Sequence, residues 1–424
     1  MTASARDLTG TEVCVVGLGY VGLPLAVAFA EAGVPVIGFD VDDAKVAAIA
    51  AGRSPIEDIA DDRLAACLDG GLVVTSLVAD AKSAPAYVIC VPTPLRDSMP
   101  DLAFVESAAR VVAEVLEPGD LVVLESTTYP GTTQDFLAPL LEEQCGLVAG
   151  EDFDLAYSPE RIDPGNTTWT IATTPKVVGG TTDRATDRAE QLYSRVASTV
   201  VRAAAPREAE MAKLLENTFR HVNIALVNEL AVYCHTLGID IWEVIRLAAT
   251  KPFGFMPFQP GPGVGGHCIP VDPSYLSWAV RKHGFQFHFV ELAQEVNERM
   301  PAYVVSRVTE LLNERGLAVS RARLLCVGVA YKPNVSDCRE SPAAQVLRKL
   351  RALGADVDYL DPHVPEMEVD DAVLRAVAAP VGRYDVAVVL TPHDEVDLAE
   401  VAEHAELVFD TRNCLPTGPN VLRL

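Results

Sequence analysis

The chain has 424 residues, of which 49% are apolar and 22% charged, and its 59 acidic against 34 basic residues leave a formal net charge of −25. This length exceeds one ordinary hydrophobic core and predicts two or three domains. The negative charge argues against nucleic acid or an anionic membrane as a general partner. An anionic ligand would have to be held by local dipoles and a few well-placed cations.

The nine cysteines indicate neither a disulfide framework nor a metal site. Cys14 and Cys90 lie in apolar, strand-like runs, as small buried residues do, and no CxxC pair indicates zinc. The N-terminal residues MTASARDLTGTEVCVVG lack a basic start followed by a long apolar stretch, and the longest apolar runs are far short of a membrane span. We therefore expect a cytoplasmic protein that holds no metal.

Residues 13–40, VCVVGLGYVGLPLAVAFAEAGVPVIGFD, predict a compact βαβ unit. Gly17 permits the tight turn after the first strand, Gly19 lets backbone approach a pyrophosphate, and Gly22 allows the helix to pack closely on the strand. The helix N-terminus adds N–H donors and a positive dipole. The predicted cofactor contacts of this turn are Gly17, Gly19, Tyr20, Val21 and Gly22.

Asp40 ends the second predicted strand, about 20 residues after the glycine turn. A carboxylate at this position accepts hydrogen bonds from an adenosine ribose and disfavours a 2′-phosphate, so NAD is predicted rather than NADP. A bare GxGxxG also occurs in ordinary structural turns. The two strands, the helix and the acidic residue together favour dinucleotide binding.

Further strands are predicted within residues 72–76, 86–94 and 120–127, and they alternate with helical stretches. This pattern continues a doubly wound sheet. The motifs CVPTP and ESTTYPG follow two of these strands, where ligands of parallel sheets bind. Three further cofactor contacts are predicted there: Pro92, Thr93 and Thr127.

A long helix is predicted from Pro206 to the stop signal at Gly238. Its length suits a spine between domains and an interface for a homodimer. Shorter helices are predicted over about 240–250 and 272–283.

A second α/β pattern begins after Leu317 and echoes the first. Gly328 stands at a strand end as Gly17 does, and Asp361 stands where Asp40 stands. Because this turn lacks three glycines, we expect a nucleotide or diphosphate ligand here, contacted through Lys332 and Arg339, and not a second dinucleotide.

The predicted fold class is α/β, with two Rossmann-like, doubly wound domains joined by a long central helix. The predicted boundaries give an NAD-binding domain over 1–205, a central helical region for dimerisation and substrate over 206–300, and a Rossmann-like domain for a nucleotide or diphosphate ligand over 301–424.

The loop PGPGVGGHCIPVDP, residues 260–273, places Cys268 among prolines and glycines. A lone cysteine is usually a core residue, and such a loop is often only a tight connection. Here, however, the loop is ordered at low entropic cost and precedes a predicted helix, whose N-terminus lowers the pKa of a nearby thiol. Cys268 is therefore a candidate nucleophile.

A thiolate beside NAD suggests attack on an aldehyde, hydride loss to give a thioester, and hydrolysis to the acid. Lys213 and Asn217 lie one helical turn apart and could hold the oxyanion, although alone such a pair is more often a solvated helix face. Glu160 and Thr127 follow predicted strands and could handle a proton and a water, although alone each suits a cap or turn.

The chain resembles the UDP-glucose/GDP-mannose dehydrogenase family, whose NAD-dependent members oxidise C6 of a nucleotide sugar twice, from alcohol to carboxylate. The motifs that carry the resemblance run in order along nearly the whole chain: GLGYVGLPLA, VPTP, EST, YSPER, EMAKLLENTFRHVNIALVNE, GPGVGGHCIPVDP and GVAYKPNVSDCRESPA. The resemblance implies an enzyme of polysaccharide biosynthesis, and it implies that the domain over 301–424 binds the UDP-sugar.

The resemblance also implies roles for residues. Cys268 would be the nucleophile, Lys213 and Asn217 would surround the oxyanion, and Asp272, Thr127 and Glu160 would surround water and proton transfer. Lys332 and Arg339 would contact the substrate diphosphate and the cofactor side. The implied substrate contacts are Glu160, Arg161, Lys213, Asn217, Arg220, Lys251, Phe258, Gly265 and Lys332.

The stretches TKPFGFMPF and HCIPVDP resemble the branch that acts on UDP-N-acetylhexosamines. UDP-glucose and GDP-mannose enzymes usually carry lysine where Val271 stands, and mannosamine-type members are expected to carry arginine near the loop start, where this chain has Lys251. UDP-N-acetylglucosamine is therefore favoured, with the galactosamine epimer second. The alternatives are a UDP-glucose 6-dehydrogenase, a single-step β-hydroxyacid dehydrogenase, and a non-catalytic nucleotide-sugar binding protein.

Overall fold

The structure is a computed structural model that describes residues 6, 8, 12–96, 99–162, 166, 168–266, 269–370 and 372–424. The chain divides into two units, one of Met1–Glu216 with Ser274–Phe285, the other of Asn217–Pro273 with Gln286–Leu424. The predicted division into three domains stays a prediction.

The first unit is built on a sheet whose described strands follow the order β10-β9-β8-β7-β4-β1-β2-β3. Neighbouring strands are parallel except β8 and β9. The strands of this unit, including the short pair β5 and β6, are β1 Val13–Val16, β2 Val36–Phe39, β3 Leu72–Thr75, β4 Ala86–Ile89, β5 Leu95–Arg96, β6 Met99–Pro100, β7 Leu121–Leu124, β8 Asp154–Tyr157, β9 Lys176–Gly180 and β10 Val200–Arg202.

Helices cover both faces of this sheet, as the alternation of buried strand residues shows. Val13 and Val15 belong to one hydrophobic cluster, and Cys14 and Val16 belong to another. The helices are α1 Gly22–Glu31, α2 Asp43–Ala50, α3 Asp61–Asp69, α4 Ala103–Val115, α5 Ala138–Cys145 and α6 Asp183–Tyr193, with a short 3-10 helix at Val78–Ser83 and a π-helical segment at Thr132–Leu137.

The predicted strand over 86–94 ends at Ile89. Pro92 and Pro94 follow it, and because proline has no N–H to donate to a ladder, the motif CVPTP leaves the sheet as a loop. The strand predicted over 120–127 likewise spans only Leu121–Leu124. Both motifs therefore lie at the carboxyl edge of the sheet.

Helix α7 runs over Pro206–Leu237, 32 residues, close to the predicted range. It begins in the first unit and continues in the second. Helix α8, Ile241–Ala248, follows it, and Asp240 caps α8 by accepting hydrogen bonds from the N–H groups of Trp242 and Glu243. Helix α9 spans Asp272–Arg281.

The second unit contains a parallel sheet of order β12-β11-β15-β16-β17 in the described residues. Its strands and the separate hairpin β13–β14 are β11 Arg323–Val327, β12 Asp356–Leu360, β13 Glu366–Val369, β14 Ala372–Arg375, β15 Tyr384–Val389, β16 Ala405–Asp410 and β17 Val421–Arg423. Its further helices are α10 His288–Glu314, α11 Pro342–Ala352 and α12 Leu398–Glu403, with a 3-10 turn at Val319–Arg321.

Helix α10 is a 27-residue element with Pro301 in its interior, and it crosses the predicted boundary between residues 300 and 301. The fold class predicted from the sequence is confirmed: both sheets are Rossmann-like, and α7 is the long central helix. None of the described helices is long and apolar enough to cross a lipid bilayer.

Candidate active site

The glycine turn after β1 has the geometry that a bound dinucleotide needs. Gly17 has φ +95°, and a Cβ there would lie 2.7 Å from the carbonyl oxygen of Cys90. A Cβ on Gly22 would collide with the carbonyl oxygen of Gly17, whereas a Cβ on Gly19 would have nothing within 4 Å. The turn thus has no space for a side chain at Gly17 or Gly22, but it has space at Gly19, which fits the predicted approach of a pyrophosphate. Tyr20 is exposed in this turn, and Val21 precedes the first residue of α1.

The Asp40 carboxylate faces the same turn. One oxygen accepts from Leu18 N and from Lys45 Nζ, each at 2.8 Å, and the other accepts from Asp42 N at 3.0 Å. Lys45 was not among the predicted residues, although its place in the first turn of α2 could have been read from the sequence. The carboxylate therefore carries its own counterion, which reduces the repulsion of a 2′-phosphate that we expected from Asp40 alone.

The two motifs at the carboxyl edge are bonded to each other. The Thr93 hydroxyl donates to Thr127 O at 2.8 Å, and the Ser126 hydroxyl accepts from Val91 N at 3.0 Å. The Tyr275 hydroxyl in turn donates to Thr93 O. These bonds hold the predicted contacts Thr93 and Thr127 in one rigid strip, while Pro92 is exposed beside it.

Glu160 lies in the loop after β8 and is held at both oxygens. Oε1 accepts from Arg161 N at 2.6 Å and from Ile162 N at 2.5 Å, and Oε2 lies 3.4 Å from Lys176 Nζ. Burial raises the pKa of Glu160, but Lys176, its hydrogen bonds and the charge of Lys213 outweigh it and lower the pKa below the ordinary value. A largely buried carboxylate that stays ionised is suited to accept a proton.

Arg161, a predicted substrate contact, is occupied within the protein. Its guanidinium donates to both carboxylate oxygens of Glu216 on α7, at 2.7 and 3.3 Å, and to Pro175 O at 2.7 Å. The structure thus places Arg161 where it ties the loop after β8 to α7.

Lys213 and Asn217 are both buried and lie one turn apart on α7. The side-chain amide of Asn217 donates to Asp272 Oδ2 at 2.5 Å, and Asp272 is 2% exposed at the first position of α9. The structure therefore brings together Asn217 and Asp272. An amide nitrogen has two protons, so this bond orients the group and leaves a second donor.

The loop that contains the candidate nucleophile is described up to Gly266 and again from Ile269, so His267 and Cys268 lie outside the described residues. Residues 260–263 are buried. Gly261 N donates to Asn228 Oδ1 at 2.9 Å, and Asn228 Nδ2 donates to Asn297 Oδ1 at 2.9 Å. These two asparagines come from α7 and α10, and sequence reasoning missed both.

The other side of this loop packs on the segment 331–342. Gly266 N donates to Arg339 O at 3.3 Å. A Cβ on Gly265 or Gly266 would press against the Tyr331 side chain, at 3.0 and 2.7 Å. The predicted contacts Gly265 and Arg339 are therefore neighbours, and the Arg339 side chain itself pairs with Asp337 at 2.7 Å. Lys332 lies in the same segment.

Three other predicted contacts lie in the second unit. Arg220 and Lys251 are exposed, with Lys251 Nζ 4.9 Å from the Phe253 ring, and the Phe258 ring packs 5.6 Å from that of Phe219. Arg412, a cation that the sequence did not reveal, lies beside Gly261 in the loop that leads to Cys268, which we call the thiol loop. Arg412 Nη1 would lie 2.5 Å from a Cβ on Gly261, and burial lowers the pKa of Arg412 to about 10.

Comparison with known proteins decides the family. Residues 11–197 match the NAD binding domain of the UDP-glucose/GDP-mannose dehydrogenase family, residues 207–299 its central domain, and residues 325–417 its UDP binding domain. The chain belongs to the UDP-glucose/GDP-mannose dehydrogenase family. It is an NAD-dependent nucleotide-sugar 6-dehydrogenase with a UDP-binding domain, as the sequence predicted.

Two curated relatives span almost the whole chain. The UDP-N-acetyl-D-mannosamine dehydrogenase of Pyrococcus horikoshii is 38% identical over 416 residues, covering 96% of this chain and 97% of that protein. The UDP-N-acetyl-D-glucosamine 6-dehydrogenase of Pseudomonas aeruginosa is 34% identical over 426 residues, covering 97% and 99%. The solved structure of the UDP-D-ManNAc dehydrogenase from Pyrococcus horikoshii is similar, with a TM-score of 0.88 at 36% identity, covering 97% of this chain and 98% of that one.

The Asp40–Lys45 pair generates a prediction about the cofactor. Asp40→Ala should weaken NAD and leave Lys45 to attract a 2′-phosphate, which narrows the preference for NAD over NADP by about tenfold or more in kcat/KM. Lys45→Met should widen the preference for NAD over NADP, because it leaves the Asp40 carboxylate without its counterion. Steady-state kinetics with both cofactors measures the ratio. Equal kcat/KM for NAD and NADP in the unaltered enzyme would contradict the assignment.

The asparagine pair generates a second prediction. Asn228→Ala removes the acceptor of Gly261 N and the donor to Asn297, which costs about 1–3 kcal/mol for each buried group left unpaired. Because the loop of Cys268 rests on this bond, kcat should fall by about tenfold or more with little change in KM for the sugar. Thr236→Ala, on the exposed side of the same helix, is the control. A loss of stability in urea without a loss of kcat would show that the bond serves folding alone.

Proposed function

We propose that this enzyme oxidises C6 of a UDP-N-acetylhexosamine from the primary alcohol to the carboxylate, with UDP-N-acetylglucosamine as the preferred sugar. The observation that carries the proposal is the buried Asn217–Asp272 pair. Lys213 lies one turn before Asn217 on α7, and the anchored loop that leads to Cys268 precedes Asp272 in sequence. Bound NAD would supply the hydride acceptor, one molecule for each of two oxidations. It would be held by the glycine turn, Asp40 and the strip of Thr93 and Thr127.

Covalent catalysis by Cys268 accounts for the second oxidation. Its thiolate would add to the C6 aldehyde to form a carbon–sulfur bond, and loss of hydride would leave a thioester. Water would then cleave the thioester, so that the acid leaves and the thiol is restored. Lys213 would face the developing oxyanion with its charge, and Asn217 would donate to it with the N–H that Asp272 does not use.

Glu160 is proposed as the base for the attacking water, with Thr127 orienting that water. The support is the lowered pKa of Glu160, which keeps it ionised, and its fixed carboxylate. As the water attacks, its proton would pass to a Glu160 oxygen.

The preference for an N-acetylated sugar rests on the stretch that begins at Lys251 and on Val271. It is supported by relatives that are named UDP-N-acetyl-D-glucosamine 6-dehydrogenase, at 34% identity in Pseudomonas aeruginosa. The mannosamine epimer replaces the galactosamine epimer as the second candidate, because relatives named UDP-N-acetyl-D-mannosamine dehydrogenase are 38% and 37% identical in Pyrococcus horikoshii and Salmonella typhimurium. The two sugars differ only in configuration at C2, so few side chains are needed to discriminate them.

We also propose a homodimer that forms through α7. On the part of this helix in the second unit, apolar side chains recur every three or four residues and are 40–60% exposed: Leu226, Leu230, Tyr233 and Leu237. A contiguous apolar face of this kind is typical of an interface. The described cysteines are all free, which suits the reducing cytoplasm that we propose as its location.

A sugar panel tests the substrate. UDP-N-acetylglucosamine should be oxidised with a kcat/KM at least about tenfold above that of UDP-glucose, a difference of about 1.4 kcal/mol. Each sugar should yield two NADH and a uronic acid identified by mass. UDP-N-acetylmannosamine and UDP-N-acetylgalactosamine complete the panel and decide the epimer. One NADH per sugar would indicate a single-step dehydrogenase, none would indicate a binding protein, and a tenfold advantage of UDP-glucose would overturn the choice of sugar.

Substitution of the thiol tests the mechanism. Cys268→Ser should abolish formation of the acid while binding of NAD and UDP-sugar persists, because an alkoxide is far harder to form than a thiolate. Cys145→Ser, the same chemical change in α5, should leave activity unchanged. If Cys268→Ser still produces two NADH per sugar at the unaltered rate, the thiol takes no part in the reaction.

A further inference from the structure

A buried charged cluster lies directly behind Glu160 in the first unit. Lys176, the first residue of β9, forms an ion pair with Glu125 and lies 3.4 Å from Glu160 Oε2. Glu125 follows β7 and is fully buried, and the Tyr193 hydroxyl donates to its second oxygen. The Lys176 ammonium also lies 5.0 Å from the centre of the Tyr193 ring.

This largely buried cluster places two carboxyl groups against the Lys176 ammonium, and the charge of Lys213 also acts on Glu160. Unbalanced charge is costly in such a place, so one carboxyl group is expected to keep a proton. Burial and the charge of Glu160 raise the pKa of Glu125 to about 7, against the opposing effect of Lys176, whereas the pKa of Glu160 is lowered. The Glu125 and Glu160 side chains are also hydrogen-bonded to each other, which requires a proton on one of them. We place this proton on Glu125 and take Glu160 as the ionised carboxylate.

We propose that Lys176 and Glu125 are positioning residues that hold Glu160 as a fixed, ionised carboxylate, with Lys176 supplying the charge and Glu125 carrying the proton of the cluster. The inference rests on the role proposed above for Glu160. Two backbone N–H groups fix one Glu160 oxygen, and Lys176 fixes the other. The carboxylate is thus set in orientation and in charge by residues that need not touch the substrate.

If the cluster served stability alone, replacing Lys176 would leave the pH dependence of activity unchanged. The same unit provides a control for that case. Arg188 and Asp154 form another buried ion pair, at 2.8 Å, with side chains 5% and 0% exposed. Arg188→Met removes a buried cation as Lys176→Met does, so both variants should lose stability. Only a positioning residue should change how activity depends on pH.

The test is the pH profile of acid formation at saturating sugar and NAD. The Lys176 charge is the largest of the effects that lower the pKa of Glu160 against burial. Its removal therefore raises that pKa, and activity is lost at a higher pH as the solution is acidified. The acidic limb should move up by at least about one pH unit in Lys176→Met and in Lys176→Gln. It should stay within about 0.3 unit of the unaltered enzyme in Lys176→Arg and Arg188→Met.

Glu125→Gln tests where the proton resides. Glutamine reproduces the neutral, protonated form of Glu125, so the acidic limb should stay in place. If Glu125 were the ionised partner, removing it would transfer Lys176 entirely to Glu160, and the limb would move to lower pH by about one unit or more. That outcome, or an unshifted limb in whichever neutral Lys176 variant folds, overturns the inference.

Glu160→Gln separates this inference from the proposed function. If Glu160→Gln hydrolyses the thioester at the unaltered rate, the role of Glu160 fails and the positioning role fails with it. If Glu160→Gln stalls with the acyl group on Cys268, seen by intact-protein mass spectrometry, while the limb of Lys176→Met does not move, only the positioning role is wrong.

Discussion

A buried carboxylate that accepts the N–H after a glycine turn organises the ligand edge of each sheet. Asp40 accepts from Leu18 N at 2.8 Å, and Asp361 accepts from Val329 N at 2.7 Å. Asp361 also accepts from the backbone of residues 330, 363 and 364 and bonds His393, which uses all of the roughly four acceptor sites of a carboxylate. Asp361 is thus fully used within the protein, whereas the three bonds to Asp40 leave that carboxylate an acceptor site for a ligand hydroxyl.

The position of Lys176 in the buried charged cluster of the first unit depends on one antiparallel strand pair in an otherwise parallel sheet. Because β9 runs antiparallel to β8, with Tyr157 opposite Gly179, its first residue Lys176 lies at the carboxyl edge of β8, beside the loop of Glu160. In a parallel arrangement that lysine would stand at the other end of the sheet. The direction of one strand thus brings a cation to the edge where ligands bind.

The sequence predicted most of the architecture because buried parallel strands and amphipathic helices have periodic patterns, and α7 was found almost to its last residue. It also named Glu160, Asn217 and Asp272 through their motifs. It missed Lys176 because the direction of a strand has no local pattern, and it missed Asn228 and Asn297 because two helices distant in sequence bring them together. Partners across elements follow from tertiary structure, which motif reading does not supply.

The loop before Cys268 in the second unit and Glu160 in the first unit are held by groups that respond differently to pH. The thiol loop rests on asparagine amides, which carry no charge at any working pH. His221, against which Asn297 packs, has its pKa lowered to about 4 by burial and is therefore neutral above that pH. The support of the loop does not change as the solution is acidified, whereas the cluster around Glu160 does. A loss of activity on mild acidification would therefore arise in the buried charged cluster of the first unit, while the support of the thiol loop is still in place.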